Sequence, residues 1–150
     1  PEKPLYLVVG DTGIRHQTVE VVADVRKARE TDTKKYDEIF AEIGKITLKG
    51  VRAFKKSDGC TLGKAMNENQ GRLAAIGVSS REIDALISAA LGAGALGAKL
   101  CGAGRGGCIA ALASSPAAAE RIRGAVKSAG AEAAFTTTVL GQEKKVCARS

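Results

Sequence analysis

The chain has 150 residues, of which 45% are hydrophobic and 3% aromatic, and its formal net charge is +7. This length fits one domain with a core of Ala, Val, Ile and Leu rather than two full domains. No apolar stretch approaches the ~20 residues that span a bilayer, and the amino terminus lacks the pattern of a secretory signal. We therefore expect no membrane partner.

The positive charge is spread along the chain rather than concentrated. Basic residues alternate with Glu and Asp on predicted helices, and few aromatic side chains are available to stack on bases. A solvated basic surface explains this pattern better than a nucleic-acid site does, so we expect no nucleic-acid partner.

The four cysteines are Cys60, Cys101, Cys108 and Cys147, and they form no C-x-x-C pair. The single histidine, His16, is not at metal-ligand spacing from any of them. Free thiols in a reducing compartment are expected rather than a structural zinc site or a disulfide, which predicts a cytoplasmic protein without a metal site of its own.

The first part of the chain predicts one strand and two helices. "LYLVVGD" (Leu5–Asp11) is an apolar run that ends in a turn, which is typical of a buried strand. Valines recur at helical spacing between 18 and 29, and a second helix begins after Thr33. Gly44 and Gly50 leave the far end of this helix open, because each costs about 1 kcal/mol relative to Ala.

The middle of the chain predicts two more helices. After the turn "KSDG", apolar residues at helical spacing continue to Gly77. Ser79 followed by Glu82 has the spacing of a capping box and predicts the start of the next helix. Gly92 and Gly94 mark its end.

The last third predicts three strands and a helix. "ALGAKL" and "CIAALA" flank a glycine-rich segment, and "AAFTTTVL" forms the last strand. Ser115 and Pro116 start a helix that ends at Gly130, since Pro at the first helical position gives up an N–H group without a partner. This order of elements favours an α+β domain with helices packed on one face of a small antiparallel sheet.

The glycine-rich segment has four glycines in the six residues 102–107. Gly102, Gly104 and Gly107 match G-x-G-x-x-G, but no helix begins at this turn and no acidic residue follows at the required distance. A Walker A loop is also excluded, since no Gly-Lys-Ser/Thr follows. A tight turn needs one or two glycines. The surplus predicts that the bare backbone either contacts an anion or lets another loop pack against it.

Three stretches of the sequence resemble segments of a known family. "GAKLCGAGRGGC" (97–108) resembles the third signature motif of the GHMP kinase superfamily, usually G-x-K-L-T-G-A-G-x-G-G-C. "MNENQGRLAAIGVSSREID" (66–84) and "LVVGDTGIRHQTVEVVADVR" (7–26) are similar to segments of its mevalonate kinase family, of archaeal type. The three stretches occur in the family's order.

The resemblance implies a ferredoxin-like carboxy-terminal domain over residues 1–150 of an ATP-dependent kinase that phosphorylates the 5-hydroxyl of mevalonate in isoprenoid biosynthesis. ATP and Mg²⁺ would bind through an amino-terminal domain, the expected partner, which also supplies the catalytic residues. The isolated chain is expected to be inactive, and homodimerisation stays open. The alternatives are another GHMP kinase (phosphomevalonate or homoserine kinase) or a stand-alone basic binding module.

The resemblance also implies which residues approach the transferred phosphate: Gly102, Ala103, Gly104, Arg105, Gly106 and Gly107. Two residues depart from the usual motif. Arg105 replaces the usual Gly, and either phosphate contact or a solvated side chain fits it. Cys101 replaces the usual Thr, and we expect a buried small side chain rather than a reactive thiol.

Four further residues are candidates for the substrate side: Thr12, Asn67, Gln70 and Lys99. Each has a structural alternative. Thr12 fits a turn-stabilising hydroxyl, Asn67 and Gln70 fit solvent exposure, and Lys99 fits a strand lysine whose stem covers apolar surface. His16 is expected to be an exposed residue at a helix entrance.

Overall fold

The computed structural model describes residues 1–141, and Cys147 lies outside them. The described chain forms a four-stranded sheet and five helices in the order β1-α1-α2-α3-α4-β2-β3-α5-β4. The strands are β1 (Leu5–Asp11), β2 (Gly97–Cys101), β3 (Cys108–Ala113) and β4 (Ala133–Val139). The helices are α1 (Thr18–Thr31), α2 (Thr33–Lys55), α3 (Gly59–Ala75), α4 (Arg81–Gly92) and α5 (Pro116–Ser128).

The sheet is antiparallel throughout, with the strand order β2-β3-β1-β4. Helices α4 and α5 pack on one of its faces. Val8, Leu100 and Ile109 point to this side and are almost wholly buried, because opposed residues of paired strands share a face. The predicted α+β fold is confirmed.

The other helices do not share that face. Helix α3 lies beside β2, α2 packs on α3, and α1 contacts α2. The α3–β2 approach is close: a Cβ on Gly63 would lie 2.3 Å from the carbonyl oxygen of Leu96. The opposite face is partly open over β1 and β4, where the Phe135 side chain is 54% exposed. The expectation of helices on one face therefore holds for α4 and α5 only.

The helix boundaries confirm most of the predicted signals. Helix α2 continues through Gly44 and Gly50, and Gly50 lies 3.7 Å (measured from an added Cβ) from the Ala65 side chain of α3. Close packing of two helices thus outweighs the low helix propensity of glycine. The Ser115 hydroxyl accepts from the Ala118 N–H at 3.1 Å, as expected of a cap before Pro116.

The predicted capping box of α4 is wrong by one residue. The cap is Ser80, whose hydroxyl accepts from the Ile83 N–H at 3.3 Å. Ser79 instead donates to Asp84 at 2.6 Å and accepts from the Gln70 amide at 3.0 Å. A tertiary contact with α3 occupies the serine that local spacing selects. Among residues 1–141, every helix is too short or too polar to cross a membrane.

Candidate functional site

The glycine loop (residues 102–107) connects β2 to β3 at one end of the sheet. Gly102, Gly104 and Gly107 have φ angles of 85°, 91° and 72°, and Arg105 has a φ of 58°. Left-handed backbone costs a residue with a Cβ about 1 kcal/mol or more. Glycines therefore suit three of the four left-handed positions, and Arg105 holds the fourth against that strain.

Two of the glycines also allow other segments to approach the loop. A Cβ on Gly104 would lie 2.0 Å from the Val78 carbonyl oxygen, and one on Gly106 would lie 2.6 Å from the Ile14 carbonyl oxygen. The same carbonyls accept hydrogen bonds from the loop: Arg105 N–H donates to Val78 at 2.7 Å and Gly107 N–H donates to Ile14 at 2.9 Å. The loop-packing explanation of the glycines is confirmed.

Other backbone donors of the loop are left without a partner. Within residues 1–141, no hydrogen bond is formed by the N–H groups of Gly102, Ala103, Gly104 and Gly106. The loop lines an open cavity of about 420 Å³ together with residues from the end of β1 to the start of α1. Unpaired N–H groups on consecutive turns form concavities that suit anions. The geometry therefore fits an anion site as well.

Thr12 supports the loop from the end of β1. Its N–H and its hydroxyl both donate to the Gly107 carbonyl, each at 2.9 Å, and the hydroxyl accepts from Ile14 N–H at 3.2 Å. The structural alternative for Thr12 is thus realised in this structure, and its contact with substrate stays a prediction.

Asp11 and Arg15 line the cavity and form an ion pair with each other. Two guanidinium nitrogens of Arg15 donate to the Asp11 carboxylate at 2.8 and 2.7 Å, and Gly13 N–H donates to it at 2.9 Å. The Arg15 hydrogen bond and then the Gly13 N–H lower the pKa of Asp11 to about 2. The Arg15 side chain is 65% exposed. His16, also at the cavity, is exposed as expected.

Arg105 takes a role that neither expectation included. Its guanidinium forms an ion pair with Asp24 of α1, and its Nε donates to the Gly77 carbonyl at 3.2 Å. The side chain is neither free in solvent nor part of the cavity lining. Arg105 thus ties the glycine loop to α1 and to the turn between α3 and α4. Asp24 and Gly77 were missed because nothing in the local sequence links them to the loop.

Asn67 and Gln70 lie along β2 rather than in the cavity. The Asn67 side-chain oxygen accepts from Ala98 N–H and that of Gln70 from Leu100 N–H, both at 2.9 Å. They therefore satisfy the outward backbone donors of an edge strand. The solvent-exposed alternative is wrong for Gln70, which is 8% exposed.

Lys99 is also separated from the loop. Its Nζ donates to the Leu100 carbonyl at 2.7 Å, and its side chain lines a second groove between α2 and α3. The structure therefore brings together residues 102–107 and Thr12, but it does not bring Lys99, Asn67 or Gln70 to the cavity.

The expectation of a buried Cys101 is wrong. Cys101 ends the edge strand β2 on the open side of the sheet, and its side chain is exposed. Cys108 lies directly opposite on β3 and is half-buried. Burial and the neighbouring Asp11 charge raise the pKa of the Cys108 thiol.

Three comparisons with known proteins give one family of similar proteins. The sequence profile "GHMP kinases C terminal" matches residues 51–132. A mevalonate kinase of Thermococcus gammatolerans is 43% identical over 118 residues, which is 75% of this chain and 35% of that protein. A mevalonate kinase of Pyrococcus horikoshii is 41% identical over 135 residues, 87% of this chain and 40% of that protein.

A solved structure agrees with these relatives. The crystal structure of L. major mevalonate kinase in complex with R-mevalonate superposes with a TM-score of 0.90 at 34% identity, covering 94% of this chain and 44% of that one. The chain therefore spans 35 to 44% of the length of the three proteins that it resembles.

The chain is thus an α+β domain with a sheet backed by α4 and α5 and a glycine loop with unpaired backbone donors, within residues 1–141, at one end of the sheet. The profile match covers more than half of the chain. The chain belongs to the GHMP kinase carboxy-terminal domain family.

The described residues do not fit a resident metal ion. Within residues 1–141, no group of three or more His, Cys, Asp or Glu side chains could hold one. Asp11, the carboxylate that lines the cavity, is already paired with Arg15.

Proposed function

We propose that this chain is the carboxy-terminal domain of a two-domain kinase that transfers a phosphoryl group from ATP to the 5-hydroxyl of mevalonate. The observation that carries the proposal is that the glycine loop lines an open cavity and has four N–H groups without a partner in residues 1–141. An amino-terminal domain holding ATP, Mg²⁺ and the catalytic acid is the partner that this half requires.

The loop suits phosphate because its donors are fixed before the ligand arrives. Two of its N–H groups are anchored to Val78 and Ile14, and Thr12 holds its last carbonyl. Fixed donors stabilise developing negative charge on a transferred phosphoryl group without reorganising during the reaction. We propose that Gly102, Ala103, Gly104 and Gly106 donate to phosphate oxygens, and that the loop thereby positions the reacting group.

Mevalonate is the proposed acceptor because the similar proteins are mevalonate kinases, one of them solved with R-mevalonate. The arginine in the loop does not change this choice, since Arg105 is directed to Asp24. The free thiols of Cys60, Cys101 and Cys108 fit a reducing compartment, and we propose a cytoplasmic location.

The proposal is tested with the complete natural protein that contains this chain. Purified protein is given ATP and, in separate reactions, R-mevalonate, phosphomevalonate and homoserine, and ADP release is measured. We expect turnover with R-mevalonate at least tenfold faster than with the other acceptors. Turnover only with another acceptor would replace mevalonate, and no turnover with any would reject the proposed kinase.

A matched pair of glycine variants assigns the activity to the loop. In Gly106→Ala a methyl group meets the Ile14 carbonyl, whereas Gly71→Ala adds one on α3 where no atom lies within 4 Å. We expect kcat to fall at least 100-fold in the first, because displaced transition-state donors cost about that much. The second is expected to keep kcat within a factor of two. Equal kcat values of the two variants would show that the loop is not part of the active site.

A further inference from the structure

Two cysteines face each other at the neck of the glycine loop. Cys101 is the last residue of β2 and Cys108 is the first residue of β3, and the two are direct partners in the antiparallel register. Opposed residues of such a pair point to the same face of the sheet. The six residues between them are the whole glycine loop.

The spacing of such a pair fits a disulfide. Directly opposed residues of an antiparallel pair have Cα atoms about 4.5 to 5.5 Å apart. A disulfide spans Cα separations of about 4.4 to 6.8 Å, with Cβ atoms roughly 1 Å closer than in an unlinked strand pair. Bond formation therefore needs a small movement of the two strand ends, and the strain of that movement makes the bond easy to reduce.

The two thiols have different environments. Cys101 is exposed, so a small oxidant reaches it from solvent. Cys108 is half-buried, and burial and the charge of Asp11 raise the pKa of its thiol. The exposed cysteine thus meets the oxidant first, and the partly buried one lies directly across the strand pair to complete the exchange.

We propose that Cys101 and Cys108 are a reversible redox pair that closes the neck of the glycine loop as an intramolecular disulfide, using a low-molecular-weight disulfide as oxidant. The Cys101 thiolate attacks one sulfur of the oxidant, and the oxidant's S–S bond breaks to release one thiolate. The Cys108 thiolate then attacks the Cys101 sulfur and releases the second thiolate. The two cysteine protons pass to the two released thiolates, which become thiols, so the protein loses two electrons and the oxidant gains them.

The consequence for phosphate binding rests on the proposed function. The crosslink draws together both ends of a loop whose donors are set by contacts with Val78 and Ile14. A shift of the strand ends moves Gly102, which follows Cys101, and Gly107, which precedes Cys108. Oxidation is therefore expected to lower kinase activity, and reduction to restore it.

The chemistry is tested on the chain itself, in a Cys60→Ser/Cys147→Ser background that leaves only the two facing cysteines. The reduced protein is incubated with oxidised glutathione and analysed by intact mass, thiol titration and peptide mapping. We expect the loss of two hydrogen atoms, both thiols consumed, a Cys101–Cys108 linked peptide, and at least tenfold less glutathionylated protein than crosslinked protein. A glutathione adduct as the main product would overturn the proposal.

Two controls test whether the crosslink requires both cysteines and whether it is reversible. In the same background, Cys101→Thr keeps a residue suited to a strand end and is expected to form no crosslink within the chain. Excess reduced glutathione must return the parent protein to two free thiols. A crosslink that survives this reduction would contradict a reversible pair.

The regulatory consequence is tested on the complete protein. Oxidised glutathione is expected to lower kcat with mevalonate at least fivefold in the natural sequence and by less than a factor of two in Cys101→Thr. A crosslinked protein of unchanged activity would overturn the regulatory part of the proposal. A reduced protein that shows no kinase activity but still forms the crosslink would reject the proposed function alone.

Discussion

The edge of β2 and the glycine loop that follows it differ in whether their backbone N–H groups have hydrogen-bond partners. Along β2, the outward donors of Ala98 and Leu100 are taken by Asn67 and Gln70 of α3. In the loop, four donors have no acceptor within residues 1–141. The backbone donors thus change from paired to unpaired at the point where the amide side chains of α3 no longer reach the chain.

The glycine loop is nevertheless held in place by hydrogen bonds to neighbouring segments, so its unpaired donors are not the result of a loose loop. Val78, Ile14 and Thr12 fix it from the turn before α4 and from the end of β1. A loop that is held in place and has unpaired donors can bind a ligand. The outward donors of Ala98 and Leu100 on β2 are already paired, so they contribute to the stability of the fold instead. The predictions below test each half of this contrast.

The largest expected effect is on the packing of the loop. In Gly104→Ala, a methyl group is placed 2.0 Å from the Val78 carbonyl oxygen on a residue with a φ of 91°. We expect the free energy of unfolding in urea to fall by about 3 kcal/mol or more. Gly124→Ala, on α5 with no atom within 4 Å, should be neutral or raise it by up to ~1 kcal/mol. Similar stabilities of the two variants would contradict the close approach.

The next effect concerns the closed edge. Gln70 is buried and pairs with both Leu100 and Ser79, whereas Asn67 is exposed and accepts from Ala98. Gln70→Ala leaves a buried donor unpaired, and we expect a loss of about 2 kcal/mol in the free energy of unfolding. Asn67→Ala should lose about 1 kcal/mol or less, because water replaces its oxygen. An equal loss of stability in both variants would show that burial does not determine how much each hydrogen bond to β2 contributes.

A smaller effect is expected at Arg105, where strain and attraction oppose each other. Arg105→Gly relieves the left-handed backbone but loses the Asp24 ion pair, so the free energy of unfolding should change by less than ~1 kcal/mol. Arg105→Ala keeps the strain and should be about 1 kcal/mol less stable than Arg105→Gly.

A double-mutant cycle with Asp24→Ala isolates the ion pair. The coupling energy of these partly exposed groups should be about 0.5 to 1 kcal/mol and should shrink in 1 M salt, because salt screens exposed charges. A coupling of zero at low salt would mean that Arg105 does not tie α1 to the loop.

An effect of similar size is the pH dependence of stability that arises from Asp11. Its pKa is lowered to about 2 in the folded protein, so the folded state favours the carboxylate. The resulting stabilisation is fully present above the ordinary pKa of Asp and is lost as the pH falls from about 4 to 2. We expect about 1 kcal/mol, since Arg15 is exposed and screened by solvent. Asp11→Asn should flatten the stability profile in this range, and an unchanged slope would contradict the ion pair.

The elements were readable from the sequence because their signals are local. Ser115 with Pro116 predicts the start of α5, and the apolar run at 5–11 predicts β1. The Ser79 capping box failed because a contact with Gln70 competes for the same hydroxyl. Local spacing carries no information about such a contact.

The site was only partly readable for the same reason. Glycine density predicts that the loop is special, but the carbonyls that fill its close approaches belong to Ile14 and Val78. The partner of Arg105 lies 81 residues away on α1, and the exposure of Cys101 follows from the place of β2 at the sheet edge. Both features depend on strand order and helix packing, which the residues near the loop do not specify.

The most direct measurement is an ¹H–¹⁵N spectrum of the ¹⁵N-labelled chain titrated with pyrophosphate, because it reports each backbone N–H separately. The account predicts saturable shifts for Gly102, Ala103, Gly104 and Gly106, with the amides of Ala98 and Leu100 unchanged. Shifts at the edge of β2 as large as those in the loop, or no shift in the loop, would contradict the claim that its free donors form the phosphate site.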